Sequence, residues 1–258
     1  MMKLEFYKYQ GTGNDFVVLD NRDGGYDALQ TDQIARICDR KFGIGADGWM
    51  KLELADGYDF RMVYYNADGQ EGSMCGNGGR CLVQFAHDRG IVSDHYRFIA
   101  VDGEHEARIK DGLIHLKMQD VHEVERKGNV SILNTGSPHY ISFVADVKGM
   151  DVFGEGRAIR YSDTFREKGI NVNFVCSTPD GIRVRTYERG VEGETLSCGT
   201  GVTAAAIAHS KVDGNQTVSI MVEGGQLSVS FHRINDQHFE DIWLIGPAAF
   251  VFSGEINI

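Results

Sequence analysis

Two stretches of this 258-residue chain repeat one pattern: a cysteine at the mouth of a glycine-rich turn, followed at once by an apolar run of helical period. The first is Glu71-Gly72-Ser73-Met74-Cys75-Gly76-Asn77-Gly78-Gly79-Arg80-Cys81, ahead of Leu82, Val83, Phe85 and Ala86. The second is Glu194-Thr195-Leu196-Ser197-Cys198-Gly199-Thr200-Gly201, ahead of Val202, Ala204, Ala205, Ile207 and Ala208. Aligned on Cys75 and Cys198, Glu71 matches Glu194, Tyr64 matches Tyr187 and Asn66 matches Arg189. One fold unit is therefore expected twice, each copy carrying a thiol at a helix N-terminus. Such a terminus has unpaired N–H groups and the positive end of the helix dipole, which lowers a thiol's pKa and draws in a carboxylate. The glycines let backbone approach a ligand closely.

Between and around these stretches the pattern is of short strands and few helices. Strands are expected at Leu4–Tyr9, Phe16–Asp20, Trp49–Leu54 and Phe60–Tyr65, the last delivering Asn66 to the first cysteine loop. Thr31 reads as the N-cap of a helix carrying Ile34, Ala35, Ile37 and Cys38, and Asp163 as the cap of a second around Thr164–Lys168. Further strands are expected at Tyr96–Val101, Glu106–Ile109, Leu113–Met118, Tyr140–Val144, Asn171–Val175, Ile182–Tyr187, Val218–Val222, Leu227–Phe231 and Ile242–Ile245. Gly43, Gly45 and Gly48 make a G-x-G-x-x-G, but a dinucleotide fingerprint needs a strand before it and a helix after it, and here the order is reversed. Without a Pro- or Gly/Ser-rich linker the halves are expected to pack tightly, with the site in the cleft between them.

Composition excludes several classes. The formal net charge is −11 with no Lys/Arg run, which disfavours nucleic acid. No stretch has a signal peptide's apolar core or the length of a membrane span. The five cysteines contain no C-x-x-C pair, which argues against a disulfide framework and against a metal site, and fits a reducing cytoplasm. Cys38, Cys81 and Cys176 read as buried small hydrophobes. Glu71 and Glu194 read equally as caps on the helix approach or as chemical groups, and His87 and His209 as structural.

If the two thiols flank one α-carbon, a thiolate on one face takes its proton while a thiol on the other returns one, inverting the centre. Cysteine suits this work, with an unperturbed pKa of about 8.5 that a helix dipole brings toward neutrality. Backbone N–H groups of the glycine loops would stabilise the carbanion, and the scheme needs neither metal nor cofactor.

The residues carrying this chemistry sit in a wider set of motifs. These are Gly11-Thr12-Gly13-Asn14-Asp15-Phe16, Gly43-Ile44-Gly45-Ala46-Asp47, Asn66-Ala67-Asp68-Gly69, Gly136-Ser137-Pro138-His139, Asn171, Tyr187-Glu188-Arg189-Gly190 and Gly246-Pro247-Ala248. With both cysteine loops, they make the chain resemble the diaminopimelate epimerases over its full length. The resemblance implies an α/β (α+β) fold of two pseudo-repeat domains, each with strands wrapped around a central helix. The halves would be residues 1–117, joined by a returning strand at about 247–258, and residues 118–246. It implies cofactor-independent interconversion of LL- and meso-diaminopimelate, feeding lysine and peptidoglycan synthesis, by a cytoplasmic homodimer whose partner is a small amino-acid substrate. Cys75 and Cys198 then look like the acid/base pair. Gly76, Asn77, Gly199 and Thr200 would hold the reacting carboxylate. Asn14, Asn66, Ser137, Asn171, Glu188 and Arg189 would bind the rest of the substrate, with His139 in support. Three positions depart from the family pattern: Ser137 replaces a common asparagine, Thr200 a frequent serine, and Gly48 a glutamine found in many members.

Other readings share parts of this pattern. A proline racemase would suit the second loop, but its first loop usually carries histidine where this chain has Asn77, and proline offers no distal ammonium for Glu188. A phenazine-pathway isomerase shares the architecture but lacks the two cysteines. Outside enzymes, the thiols could serve a redox sensor or an amino-acid-binding protein.

Overall fold

In a computed structural model that describes residues 2–258, the elements run in chain order β1 (Lys3–Gly11), β2 (Asn14–Asp20), α1 (Thr31–Cys38), β3 (Gly48–Glu53), β4 (Phe60–Asn66), α2 (Gly76–Asp88), β5 (Tyr96–Ala100), β6 (Gly103–Lys110) and β7 (Leu113–Lys117). There follow β8 (Val124–Lys127), β9 (Val130–Asn134), β10 (Pro138–Phe143), α3 (Val152–Arg160), β11 (Asn171–Thr178), β12 (Gly181–Glu188), β13 (Gly193–Thr195), α4 (Gly199–His209), β14 (Gly214–Val222), β15 (Gly225–Arg233), β16 (Phe239–Gly246) and β17 (Ala249–Asn257). The chain forms two compact units, Met1–Leu116 with Gly246–Ile258, and Lys117–Ile245.

In the first unit β17, β1 and β2 are antiparallel neighbours, β2 and β3 are parallel, β3 and β4 antiparallel, β4 and β5 parallel, and β5, β6 and β7 antiparallel. A parallel pair needs a crossover, and a helix supplies each one: α1 between β2 and β3, α2 between β4 and β5. The second unit repeats the scheme. There β10 and β11 are parallel across α3, and β12 and β14 are parallel across α4. In each unit one helix lies inside and the other outside. α2 packs against β1, β2, β3, β4, β6 and β17, and α4 against β9, β10, β11, β12, β14 and β15. Every residue of α4 from Val202 to Ala208 is buried, as a helix apolar on all sides must be.

The strands between the two helix layers are buried on both faces, and their period of two sorts the side chains. On β11, Val172, Phe174 and Cys176 join Val147, Val152, Ile170 and Tyr187 in the outer core under α3. Asn171, Asn173 and Val175 take the other face. On β2, Val17 and Leu19 pack outward with Ile34, Ile37, Cys38 and Trp49. Burial pushes the Cys38 and Cys81 thiols up to about 12, so both stay protonated and unreactive near neutrality.

Four expectations need correction. Thr31 is the first helical residue of α1 rather than its cap; Gln30 caps it, its N–H donating to Gln33 Oε1 at 3.0 Å. Residues 164–168 form turns, and the helix lies upstream as α3, with Asp151 Oδ1 accepting from the Gly154 N–H at 2.9 Å. Neither Glu71 nor Glu194 caps a central helix, since Cys75 and Cys198 hold those positions themselves. Glu194 instead takes a bidentate pair from Arg185 at 2.6 and 2.8 Å. Finally, the two copies are out of step by one residue on β4 and β12. Tyr64 shares the α2 face of β4 with Met62, whereas Tyr187 points out into the α3 core, the place that Tyr65 takes in the first unit. A one-residue offset exchanges the faces of a strand. The residue structurally matching Asn66 is therefore Glu188.

Phe174 anchors the outer core of the second unit. Phe174→Ala is expected to destabilise the fold by about 3–5 kcal/mol, read from urea denaturation.

Candidate active site

Cys75 and Cys198 are the N-cap residues of α2 and α4, with φ/ψ of −93°/129° and −122°/110°, so each thiol sits in extended backbone at the first turn of a buried central helix. Cys75 is half-buried and Cys198 buried. Gly76, Asn77, Gly199 and Thr200 are the first helical residues, and their backbone N–H groups belong to the first turn, which has no intrahelical acceptors.

In the first unit the polar side chains around Cys75 are held with defined hydrogen-bond directions. The β1–β2 hairpin turns at Thr12 and Gly13, both at positive φ (51° and 85°), as a tight twisted hairpin requires, and this sets Asn14 at the start of β2. Asn14 Nδ2 donates to Asp47 Oδ2 at 2.8 Å. A carboxylate only accepts, so Asn14 Oδ1 is left to face Asn77 Nδ2 at 3.2 Å and Cys75 Sγ at 3.7 Å. Asn77 is oriented in turn by Arg80, whose Nη2 donates to Asn77 Oδ1 at 3.1 Å and to Thr12 Oγ1 at 3.3 Å. Arg80 is 0% exposed; its Nε donates to Pro247 O at 3.4 Å and its Nη1 is buried with no partner. Burial draws its pKa down, against the influence of Cys81 and Cys75.

Asp47 is fixed by Arg40 at 2.7 Å. Arg40 also binds Asp15, which pairs with Lys8 at 2.8 Å. Burial raises the Asp15 carboxyl, but Arg40 and Lys8 outweigh it and hold the group down at about 2. The glycines of the G-x-G-x-x-G serve structure: the N–H groups of Gly43, Ile44, Gly45 and Ala46 take the carbonyls of Asp39, Ile37, Ile37 and Cys38, closing the end of α1. Asn66 lies at the end of β4, and its Oδ1 accepts from the Tyr64 hydroxyl at 3.1 Å.

In the second unit a buried relay leads to Cys198. Thr186 Oγ1 donates to Asn173 Oδ1 at 2.9 Å, so Asn173 Nδ2 donates to His139 Nδ1 at 3.1 Å. His139 Nε2 then carries the proton and donates to Thr200 Oγ1 at 2.9 Å, and Thr200 Oγ1 lies 3.6 Å from Cys198 Sγ. The Thr200 hydroxyl, already accepting from the imidazole, has its own proton for the sulfur. Asn171 spends its carboxamide within the protein, accepting from the Arg189 N–H at 2.9 Å and donating to Ser137 Oγ at 2.9 Å and Pro138 O at 3.2 Å. Arg189 reaches Lys168 O at 3.1 Å and Ser137 Oγ at 3.3 Å, and Glu188 Oε2 accepts from Thr195 Oγ1 at 2.8 Å. Ser137, Asn171 and Arg189 thus form one cluster, Glu188 precedes Arg189 at the end of β12 with Thr195 as its partner, and His139 and Thr200 belong to the relay.

Sequence reasoning missed Arg80, Arg40, Asn173 and Thr186. Asn173 had a signal: Asn-x-Asn at 171 and 173 places two carboxamides on one face of a strand, and a buried face demands partners.

Comparison with known proteins defines the class. Solved structures of similar fold include a phenazine biosynthesis protein of the PhzF family from Bacillus anthracis (TM-score 0.74, 14% identity, 100% of both chains) and a hydroxyproline epimerase from Agrobacterium vitis (TM-score 0.68, 14% identity, 98% of this chain and 92% of that one). The chain thus has the two-unit α/β fold of these proteins. Sequence narrows the class. The family described as Diaminopimelate epimerase matches twice, over residues 6–132 and 131–251. Diaminopimelate epimerases of Flavobacterium psychrophilum and Chlorobaculum tepidum are 50% and 42% identical, over 98% and 96% of this chain and 100% and 99% of theirs. The chain belongs to the diaminopimelate epimerase family, a family of isomerases.

Burial drives the His139 pKa down from 6.5 to about 3, with Arg189 adding to the effect. The ring is therefore neutral throughout the physiological range, and an NMR titration is expected to show no His139 inflection between about pH 5 and pH 8. In the unfolded chain the ring protonates near 6.5, so between about 6.5 and 3 the unfolded state binds more protons. The stability His139 contributes is complete above about pH 6.5 and is lost as pH falls toward 3, a slope that His139→Gln removes from melts taken across that window.

Proposed function

We propose that the chain epimerises LL-diaminopimelate to meso-diaminopimelate without a cofactor, with Cys75 and Cys198 as the acid/base pair, in the supply of lysine and peptidoglycan precursors. The observation that carries this reading is the duplicated N-cap thiol: each cysteine heads a buried central helix that opens with Gly-x-Gly. A thiolate at such a terminus is favoured by the dipole, and a substrate carboxylate by the same N–H groups.

One sulfur takes the α-proton, so the C–H bond breaks and an S–H bond forms. The electron pair passes into the carboxylate, where first-turn N–H groups of Gly76, Asn77, Gly199 and Thr200 stabilise it. The other sulfur gives its proton to the opposite face of the carbon. Hydrogen-bond directions support distinct resting states for the pair. Asn14 Oδ1 is an acceptor beside Cys75 and favours the thiol there. The Thr200 hydroxyl, primed by His139, is a donor beside Cys198 and favours the thiolate. Arg189 offers a fork for a carboxylate and Glu188 a partner for an ammonium, the groups of a second amino-acid end, which could not be buried unpaired without large cost. Asn171 and Ser137 hold Arg189 in place.

Removing either thiol removes one proton transfer. Cys75→Ser and Cys198→Ser are each expected to lower kcat at least about 10²-fold on LL-diaminopimelate while circular dichroism and melting stay near wild type. The ultraviolet band of a thiolate should fall more in Cys198→Ser than in Cys75→Ser. Turnover surviving in either folded variant contradicts the reading, and wild-type turnover of proline in place of diaminopimelate moves the chain to a racemase reading.

A further inference from the structure

Position 48 is a glycine, and the space that a side chain there would need is occupied. A Cβ on Gly48 would lie 2.6 Å from Tyr64 Cε2 and 3.0 Å from the Tyr64 hydroxyl. A Cβ on Gly72 would lie 2.9 Å from Cε1, on the opposite edge of the same ring. The ring is wedged between two backbone segments, each of which comes that close only because it lacks a side chain. The strand register explains the geometry: Gly48 on β3 pairs with Asn66 on β4, and Tyr64 stands two residues before Asn66 on the same face. Beneath Tyr64 on that face lie buried Met62 and Phe60, and the Phe16 ring meets it edge-on with centroids 6.2 Å apart. Beyond it is exposed Asn66. The Tyr64 hydroxyl donates to Asn66 Oδ1 at 3.1 Å, and Asn66 Nδ2 stands over Gly72, 3.1 Å from where that residue's Cβ would be, on the loop that leads to Cys75.

We propose that Tyr64 is a positioning residue for the substrate, taking the place of a side chain at 48. By holding Asn66 Oδ1 it commits the Asn66 carboxamide to present its NH₂ group, a donor, to a carboxylate of the amino-acid substrate. Gly48 and Gly72 are the companion residues that make room for the ring. A carboxamide free to flip would offer its oxygen half the time and repel the same carboxylate. This rests on the proposed epimerase function, with Asn66 among the residues that the resemblance assigns to substrate binding.

Two measurements test it. In Tyr64→Phe, which keeps the ring and removes the hydroxyl, the KM for diaminopimelate is expected to rise about three- to tenfold, the worth of one oriented hydrogen bond, with a smaller change in kcat. An unchanged KM overturns the proposal. The wedge is tested without substrate by melting: Gly48→Ala should lower the melting temperature markedly in the native background and far less in Tyr64→Ala. Equal losses in both backgrounds overturn the wedge. A wild-type chain inert toward diaminopimelate overturns the substrate role of Tyr64 together with the function on which it rests, and the melting comparison still decides the packing.

Discussion

A helix N-terminus brings three or four backbone N–H groups to one point with no partners of their own, and the rest of this structure follows from keeping two such points dry and rigid. An exposed helix end would spend those groups on water. Here strands pack around α2 and α4, and the buried first turns carry Cys75 and Cys198 as their N-caps. Enclosing a helix demands strands buried on both faces, and that in turn demands an outer helix to cover the second face. α1 and α3 do this, and the Ile34–Trp49 and Val152–Tyr187 cores are the result.

Burial near a thiol creates a second constraint. A buried carboxamide or guanidinium without partners costs about 1–3 kcal/mol or more, so these side chains find partners, Arg80 Nη1 excepted, and in finding them acquire a direction. Asp47 orients Asn14, Arg80 orients Asn77, and Thr186 orients Asn173, which fixes the tautomer of His139. The two thiols thereby sit beside different groups, a carboxamide oxygen that only accepts at Cys75 and a hydroxyl able to donate at Cys198. Two helix termini alike in sequence become chemically unequal through their neighbours.

What could be read from the sequence was whatever is local. The cysteine loops announce themselves because glycine and cysteine have no better reason to recur together, and most strands show as apolar runs between turn residues. What was not legible depends on contacts across the fold. α3 contains Gly154 and Gly156, which argue against a helix locally; yet a Cβ at 156 would lie 2.4 Å from Tyr187 Cβ, so the glycine that weakens the helix is what lets it pack. The short strands β8 and β13 carry too few apolar residues to stand out, and β9, though apolar at Val130, Ile132 and Leu133, is only five residues long. The one-residue slip between β4 and β12 is invisible to any alignment by spacing, because it shows only in which face a side chain takes. Arg80 reads as an ordinary helical arginine until burial forces the question of what it touches.

The central claim is that two thiols act on opposite faces of one carbon, and solvent isotope labelling tests it most directly. Reduced protein is given LL-diaminopimelate in deuterium oxide, and substrate and product are separated early in the conversion and examined by NMR. With a monoprotic acid on one face and a base on the other, the meso product carries deuterium at the inverted carbon while the remaining LL substrate keeps its protium. Product that retains the substrate's own proton, or LL substrate that gains deuterium as fast as product forms, would mean that a single group serves both faces, and would contradict the account.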